Sequence, residues 1–287
     1  IGLLFFGGVS AQSLVISSGG QTGTSGTNWS ISSNTLSLSG AATIQASVIT
    51  NALANGSLTI LGSTNALDVT FNEGVVSTVN GSGITIGNSN STGTVTINRT
   101  IDLYGAVSIY ANKINMGADL LTPGESAQII TRVATGHISL LAKNGFETLA
   151  NANCIRGKIM AAGGGNITIS ANADDNSTGD LNIDWLTIDG TSGTMLFEAA
   201  VFTWNTGSQC ALPEIYSNAG AFTIRNTAST NYSISSNWFA LLGSFTSFTL
   251  GRDGGTNAIN FDLCTSCATS AINYSSTTFQ VSGPITA

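Results

Sequence analysis

The sequence predicts an all-β chain wound into a β-solenoid. Three observations carry that reading: a short repeated phrase, the spacing at which it recurs, and a composition nearly free of charge. The phrase is apolar, small polar, apolar, closed by glycine or asparagine. In chain order it appears as Leu36-Ser37-Leu38, Leu58-Thr59-Ile60, Ile84-Thr85-Ile86, Val95-Thr96-Ile97, Val107-Ser108-Ile109, Ile138-Ser139-Leu140, Ile167-Thr168-Ile169, Leu181-Asn182-Ile183, Leu186-Thr187-Ile188, Phe222-Thr223-Ile224, Phe248-Thr249-Leu250 and Ile259-Asn260-Phe261. Side chains on a strand alternate between faces, so each phrase buries two apolar groups and shows one small polar group to water. The β-branched residues and the punctuating Gly and Asn mark strands rather than helical turns.

Several phrases lie roughly 11–12 residues apart and others roughly 22–29, about twice that, with exceptions such as the gap near residues 190–220. Units this small cannot bury their own apolar face; stacked as a solenoid, each coil covers its neighbour. A coil of about two dozen residues with two or three strands rises about 4.8 Å, so around a dozen coils make a rod about 55 Å long. The alternative is a β-sandwich with many short strands, which also shows turns every 8–12 residues. The multiplicative spacing favours the solenoid.

Composition supplies the environment. Charged residues are 8%, against about 25% in an average soluble domain. With 42% hydrophobic residues the chain fills a core, unlike a disordered segment. Lys+Arg number 8 against 15 Asp+Glu, a net charge of -7, which leaves no basic stripe to neutralise phosphates and excludes nucleic acid as the expected partner. Prolines occur only at Pro123, Pro213 and Pro284, and no composition break marks a linker. The expected organisation is an apolar N-terminal segment, 1–12, followed by a single solenoid, 13–287. Its character changes from about residue 195, where Phe197, Phe202, Trp204, Phe222, Trp238, Phe239, Phe245 and Phe248 crowd together.

The segment Ile1-Gly2-Leu3-Leu4-Phe5-Phe6, with Val9-Ser10-Ala11 before Gln12, reads as the tail of a secretion signal. It reads equally as a strand that joins the fold or adds to a neighbouring subunit's sheet edge, which makes Ile1, Leu3, Leu4, Phe5 and Phe6 candidate subunit contacts. Either reading places the protein outside the cell, secreted or at the cell surface. No later run approaches the about 18 apolar residues of a membrane span.

Four cysteines, Cys154, Cys210, Cys264 and Cys267, are disulfide candidates in an oxidising compartment, with three possible connectivities. The Cys264-Thr265-Ser266-Cys267 spacing lacks the βαβ setting of a redox motif and a second pair for zinc. A bridge within it needs a tight turn, because an extended step carries the Cα atoms past about 7 Å. Nine sequons, at Asn28, Asn55, Asn80, Asn90, Asn98, Asn166, Asn176, Asn231 and Asn273, are glycosylation candidates by pattern. About 27 Asn in a chain that is about a quarter Ser and Thr give roughly seven such matches by chance, so the pattern carries little weight.

No catalytic constellation is evident. His137 is the single histidine and reads as a surface or ladder residue. Asp174-Asp175-Asn176-Ser177-Thr178-Gly179-Asp180 lacks the alternating carboxylates and terminal Glu of a calcium loop and reads as an Asx-rich turn. Carboxylates for glycoside cleavage would have to converge from different coils, from Asp184, Asp189, Asp253 and Asp262. No cofactor or metal is expected.

The stretches Gly93-Thr94-Val95-Thr96-Ile97, Ala106-Val107-Ser108-Ile109-Tyr110-Ala111, Lys113-Ile114-Asn115-Met116 and Gly164-Gly165-Asn166-Ile167-Thr168-Ile169-Ser170-Ala171, with the Asp/Asn/Gly loop to Gly179-Asp180, resemble the haemagglutination-activity and filamentous-haemagglutinin repeat family of secreted bacterial proteins. The resemblance spans about Asn80 to Gly207. It implies a right-handed parallel β-helix, export across the outer membrane, and roles in adhesion or biofilm.

Three functional classes follow. The first is a non-enzymatic extracellular structural or adhesive protein, a filament subunit or adhesin rod, whose partners are copies of itself added head to tail and host or surface glycans; unpaired strand edges at open solenoid ends suit such addition. The second is a carbohydrate-active β-helix enzyme. The third is an ice- or surface-binding solenoid, which needs stacked Thr-x-Thr columns where the sequence shows an isolated Thr94-Val95-Thr96.

Overall fold

In a computed structural model the backbone is described for residues 14–17, 20–22, 29–32, 35–38, 42–44, 48–52, 57–62, 65–66, 68–71, 74–77, 80–117, 127–148, 157–175, 178–183, 186–204, 214–216, 220–226, 232–235, 246–251, 259–262, 278–282 and 285–286, with side chains described mainly between Leu58 and Arg225. Every regular element in these segments is a strand. The strands form sheets of eleven, nine, seven and three members, and neighbours in a sheet are not neighbours in sequence. Long-sheet strands Gly83–Ile86, Val107–Ala111, Ile138–Ala142 and Ile167–Ser170 pair in parallel. Between each two of them the chain visits the seven-stranded sheet and then the nine-stranded sheet.

One coil is therefore three short strands. Four consecutive complete coils occupy Gly83 to Asp189, and the same order of sheets extends them on both sides. This is a parallel β-solenoid. The sandwich alternative fails because antiparallel pairing occurs, among the described residues, only in two end hairpins. Leu14–Ser17 with Gly20–Thr22 lies on the nine-stranded sheet, and Trp29–Ser32 with Thr35–Leu38 lies on the long sheet.

Register explains the repeated phrase. In the long sheet Leu58, Ile84, Val107, Ile138, Ile167, Met195 and Phe222 stack as one inward column. Ile60, Ile86, Ile109, Leu140, Ile169, Phe197 and Ile224 form a second. Val69, Val95, Ile114, Phe146, Leu181 and Phe202 line the seven-stranded sheet, and Val75, Ile101, Ile129, Ile159, Ile188 and Ile215 the nine-stranded one. All of these side chains are buried, in one continuous core cluster. Each contributes about 1.5–3 kcal/mol by leaving water, and the ladder satisfies the backbone groups that burial would otherwise strand.

Corner lengths set coil lengths. Between a strand of the seven-stranded sheet and the next strand of the nine-stranded one stand two residues at 72–73, 98–99 and 184–185, but eleven and eight, 117–127 and 149–156, in the two coils between. Ile84 and its partner Val107 are thus 23 residues apart, whereas Val107 and Ile138 are 31. The expectation of two dozen residues per coil and about a dozen coils is corrected accordingly. The long sheet holds eleven strands, one of them the antiparallel end strand, and nine parallel steps of about 4.8 Å make it about 43 Å long. Beyond Asn226 the chain alternates between the long sheet and the three-stranded sheet of Tyr232–Ser235, Ile259–Asp262 and Ile285–Thr286.

At the corner entering the long sheet, backbones of successive coils approach too closely for a side chain. A Cβ on Gly165 would lie 2.4 Å from the Gly136 carbonyl oxygen, and one on Gly193 would lie 2.1 Å from that of Gly165. Glycine therefore stands two residues before the first inward residue in Gly136-His137-Ile138, Gly165-Asn166-Ile167 and Gly193-Thr194-Met195.

Candidate functional site: the outer face of the long sheet

The outward positions of the long sheet form columns as regular as the inward ones. Thr59, Thr85, Ser108, Ser139, Thr168, Leu196, Thr223 and Thr249 follow one another by register. Hydroxyls recur at the strand spacing of about 4.8 Å, interrupted once by Leu196. Within any single strand the column leaves no Thr-x-Thr mark, because each coil contributes only one member.

A second outward column contains Tyr110, Leu141, Ser170, Glu198 and Arg225. Two long loops overhang it where the chain leaves the long sheet. After Gly83–Ile86 the corner takes residues 87–93, and after Ile167–Ser170 it takes 171–179. The two coils between turn through Asn112 alone and through Lys143 and Asn144. The result is a cleft of about 120 Å³ with Tyr110 and Leu141 on its floor, Asn88 and Ser89 on one wall, and Lys143 and Asp174 towards the other.

Both walls are fixed to the framework. In the first, the Asn88 N–H donates to Ser91 Oγ at 2.9 Å, the Asn90 N–H donates to Asn88 Oδ1 at 2.8 Å, and the Thr92 N–H reaches back one coil to the Asn65 carbonyl at 2.7 Å. In the second, the Ala173 N–H donates to the Ala142 carbonyl at 2.8 Å and the Asp175 N–H to the Asn172 carbonyl at 3.1 Å. Thr178 Oγ1 donates to Asn144 Oδ1 at 2.8 Å, and Asn144 Nδ2 donates to Asn112 Oδ1 at 2.5 Å. Gly179, at φ +110, completes the loop; a Cβ there would sit 2.0 Å from the Ala171 carbonyl oxygen. The sequence reading of 174–180 as an Asx-rich turn fits this geometry over its described residues.

Charges staple adjacent coils. Arg132 grips Asp102 with two hydrogen bonds, Nε to Oδ1 at 2.6 Å and Nη2 to Oδ2 at 2.5 Å. The hydrogen bond to Asp102, and then its charge, hold the Arg132 pKa above its ordinary value. Arg225 pairs with its register partner Glu198 at 3.2 Å, and Lys113 with Glu147 on the next coil. His137 is likewise a ladder residue: its Nδ1 accepts from the Asn166 N–H at 2.9 Å, and Asn166 Oδ1 accepts from the Thr194 N–H at 3.0 Å.

The remaining sequence candidates fall as follows. Asn80, Asn90 and Asn166 are exposed and Asn98 is half-buried, so three of these sequons present an accessible amide. Asn28, Asn55, Asn176, Asn231 and Asn273 lie outside the described residues, as do Ile1, Leu3, Leu4, Phe5 and Phe6 and the four cysteines Cys154, Cys210, Cys264 and Cys267. Of the carboxylates considered for glycoside cleavage, Asp189 accepts from the Thr191 N–H at 2.9 Å and caps its own turn. Asp262 belongs to the three-stranded sheet, and Asp184 and Asp253 lie outside the described residues. Among the described residues no group of three His, Cys, Asp or Glu converges as a metal site, and no helix is long and apolar enough to cross a membrane. Comparison with family models, with curated proteins and with solved structures finds no match to this chain.

Proposed function

We propose that this chain is a non-enzymatic extracellular rod, an adhesin shaft or surface-filament subunit of the kind that the haemagglutinin resemblance implies. The carrying observation is the pair of column types that share one register. Unbroken apolar columns run along the axis inside, and hydroxyl, amide and ion-paired columns run along the same axis outside. Such a wall needs few net charges to stay wet and presents repeated, evenly spaced hydrogen-bonding groups to another surface. The apolar segment at residues 1–6 supports export, and the sheet ends offer strand edges for head-to-tail addition.

The test is microscopy of the purified full chain together with immunolabelling of intact cells that make it. Rods or longer filaments, and label at the cell surface, are the expected results. Compact particles, or label only after permeabilisation, would overturn the proposal. Deleting residues 1–6 is expected to shorten filaments while leaving the β-sheet circular dichroism unchanged.

A further inference from the structure

The geometry points to the cleft over Tyr110 and Leu141 as a binding site for one neutral pyranose unit of a glycan. The inference rests on the adhesive reading above and names the ligand class and the residues that take it. A pyranose ring has a C–H face that packs on aromatic and aliphatic surface and a rim of hydroxyls that both donate and accept. The cleft supplies both an apolar surface and polar groups. Tyr110 and Leu141 are adjacent in register, half-buried, and form an apolar floor. Asn88, Ser89 and Lys143 bring an amide, a hydroxyl and an ammonium around it, and Asp174 lines the far side. A mainly apolar concavity with a few placed polar groups is the usual form of a small-ligand site.

Size, edge chemistry and charge separate this ligand from other occupants. The cleft spans two coils, about 10 Å, and holds about 120 Å³. An α-helix about 10–12 Å across with its side chains does not enter it. Both floor strands, Val107–Ala111 and Ile138–Ala142, already pair on each edge, so an added peptide strand finds no free ladder. One cation and one carboxylate line the cleft in a chain of net charge -7, which suits a neutral ligand better than a polyanion. The walls are built before any ligand arrives, by the Asn88–Ser91 and Asn112–Asn144–Thr178 hydrogen bonds, so binding immobilises little protein. A site this small is expected to bind at millimolar Kd. Side-by-side display on filaments would raise the avidity about 10²–10⁴-fold.

The experiment applies the purified chain, in whatever assembly microscopy shows, to an array of oligosaccharides ending in neutral pyranoses, then uses saturation-transfer NMR with the methyl glycoside of the retained sugar. Wild type is expected to be retained. Tyr110→Ala and Lys143→Ala are each expected to weaken retention at least tenfold, and Thr187→Ala, outward on the nine-stranded sheet and away from this face, to leave it unchanged. Thermal unfolding of each variant separates lost binding from lost fold. Lys143→Ala, at the cleft rim, keeps the test decisive if Tyr110→Ala unfolds. The inference is overturned if no array sugar is retained, if both cleft variants bind like wild type, or if they change only sedimentation, which would make the occupant a second copy. Rods without sugar retention would remove the cleft assignment alone; sugar retention by compact particles would remove the shaft reading alone.

Discussion

Residues 196 and 197 sit side by side on one strand, and truncating each in turn tests the register on which the solenoid depends. Phe197 points inward, fully buried, between Ile169 and Ile224 of the adjacent coils. Its ring meets Phe222 edge-on, with centroids 4.9 Å apart and planes at 78°. Phe197→Ala removes a ring whose burial, and the void it leaves, are worth about 3–5 kcal/mol. About 0.5–1.5 kcal/mol of that belongs to the aromatic pair. Leu196 points outward, half-buried, in the column with Thr168 and Thr223; Leu196→Ala is expected to cost under about 1 kcal/mol. For 287 residues the unfolding entropy is about 0.6 kcal/mol/K, so the two variants should lower Tm by about 7 °C and under about 2 °C. Calorimetry supplies those values. Hydrogen exchange should place the lost protection in the coils flanking Met195–Ala199, because each coil touches only its neighbours. Equal losses, or the larger loss at Leu196, would mean that the strand is registered one residue away, with every side chain on the opposite face.

Two further outcomes follow from the corners and the ion pairs. Gly193→Ala is expected to destabilise by about 2–3 kcal/mol, because its Cβ would meet the Gly165 carbonyl at 2.1 Å and backbone cannot step aside as a side chain does; a Tm equal to or above wild type would refute the close stacking. Arg132→Met should cost about 0.2–1 kcal/mol at low salt, since the pair is substantially exposed, and less at 1 M salt. Because Asp102 raises the Arg132 pKa, the arginine's contribution is complete below its unfolded pKa and is lost only as pH rises through the higher folded value. Denaturant midpoints should therefore differ from wild type by the same amount at pH 6 and pH 9, and a difference that vanishes by pH 9 would contradict that ordering.

The fold was legible where inward residues are β-branched or Leu and the outward one is small. Nine of the twelve phrases fit that description in both flanking positions, and most belong to the long sheet, so the 22–29 spacing is one coil, and the 11–12 spacing is either the step from the long sheet to the seven-stranded one, as from Ile84 to Val95, or the return from there past the nine-stranded sheet, as from Val95 to Val107. Strands such as Gly145–Thr148 and Gly157–Ala161 escaped notice because a charged outward residue, Glu147 or Lys158, or a small inward one, Ala161, breaks the phrase. The gap near 190–220 has a physical origin too. Met195–Ala199 keeps the alternation but puts Leu196 and Glu198 outward, and Val201–Trp204 carries Val201 on its exposed side. The expectation of two or three strands per coil left that choice open, and the unequal corners were not legible, since loop length costs little free energy and leaves no periodic mark.

The outer face was harder to read for a reason that is geometric rather than chemical. Tyr110 and Leu141 are 31 residues apart and Asn88 and Asp174 are farther still, so nothing local in the sequence joins them; only the register that stacks Val107–Ala111 on Ile138–Ala142 does so. The corner pattern is the one signal that could have found the cleft. Two coils with corners of one and two residues, set between coils with corners of seven and nine, leave a notch wherever the wall drops. In a solenoid the wall is continuous by construction, so any recess must come from such a difference in corner length between neighbouring coils, and the residues lining it are those that the register brings to the floor. Chain spacing thus determines where the wall is recessed, and the register decides which side chains line the recess.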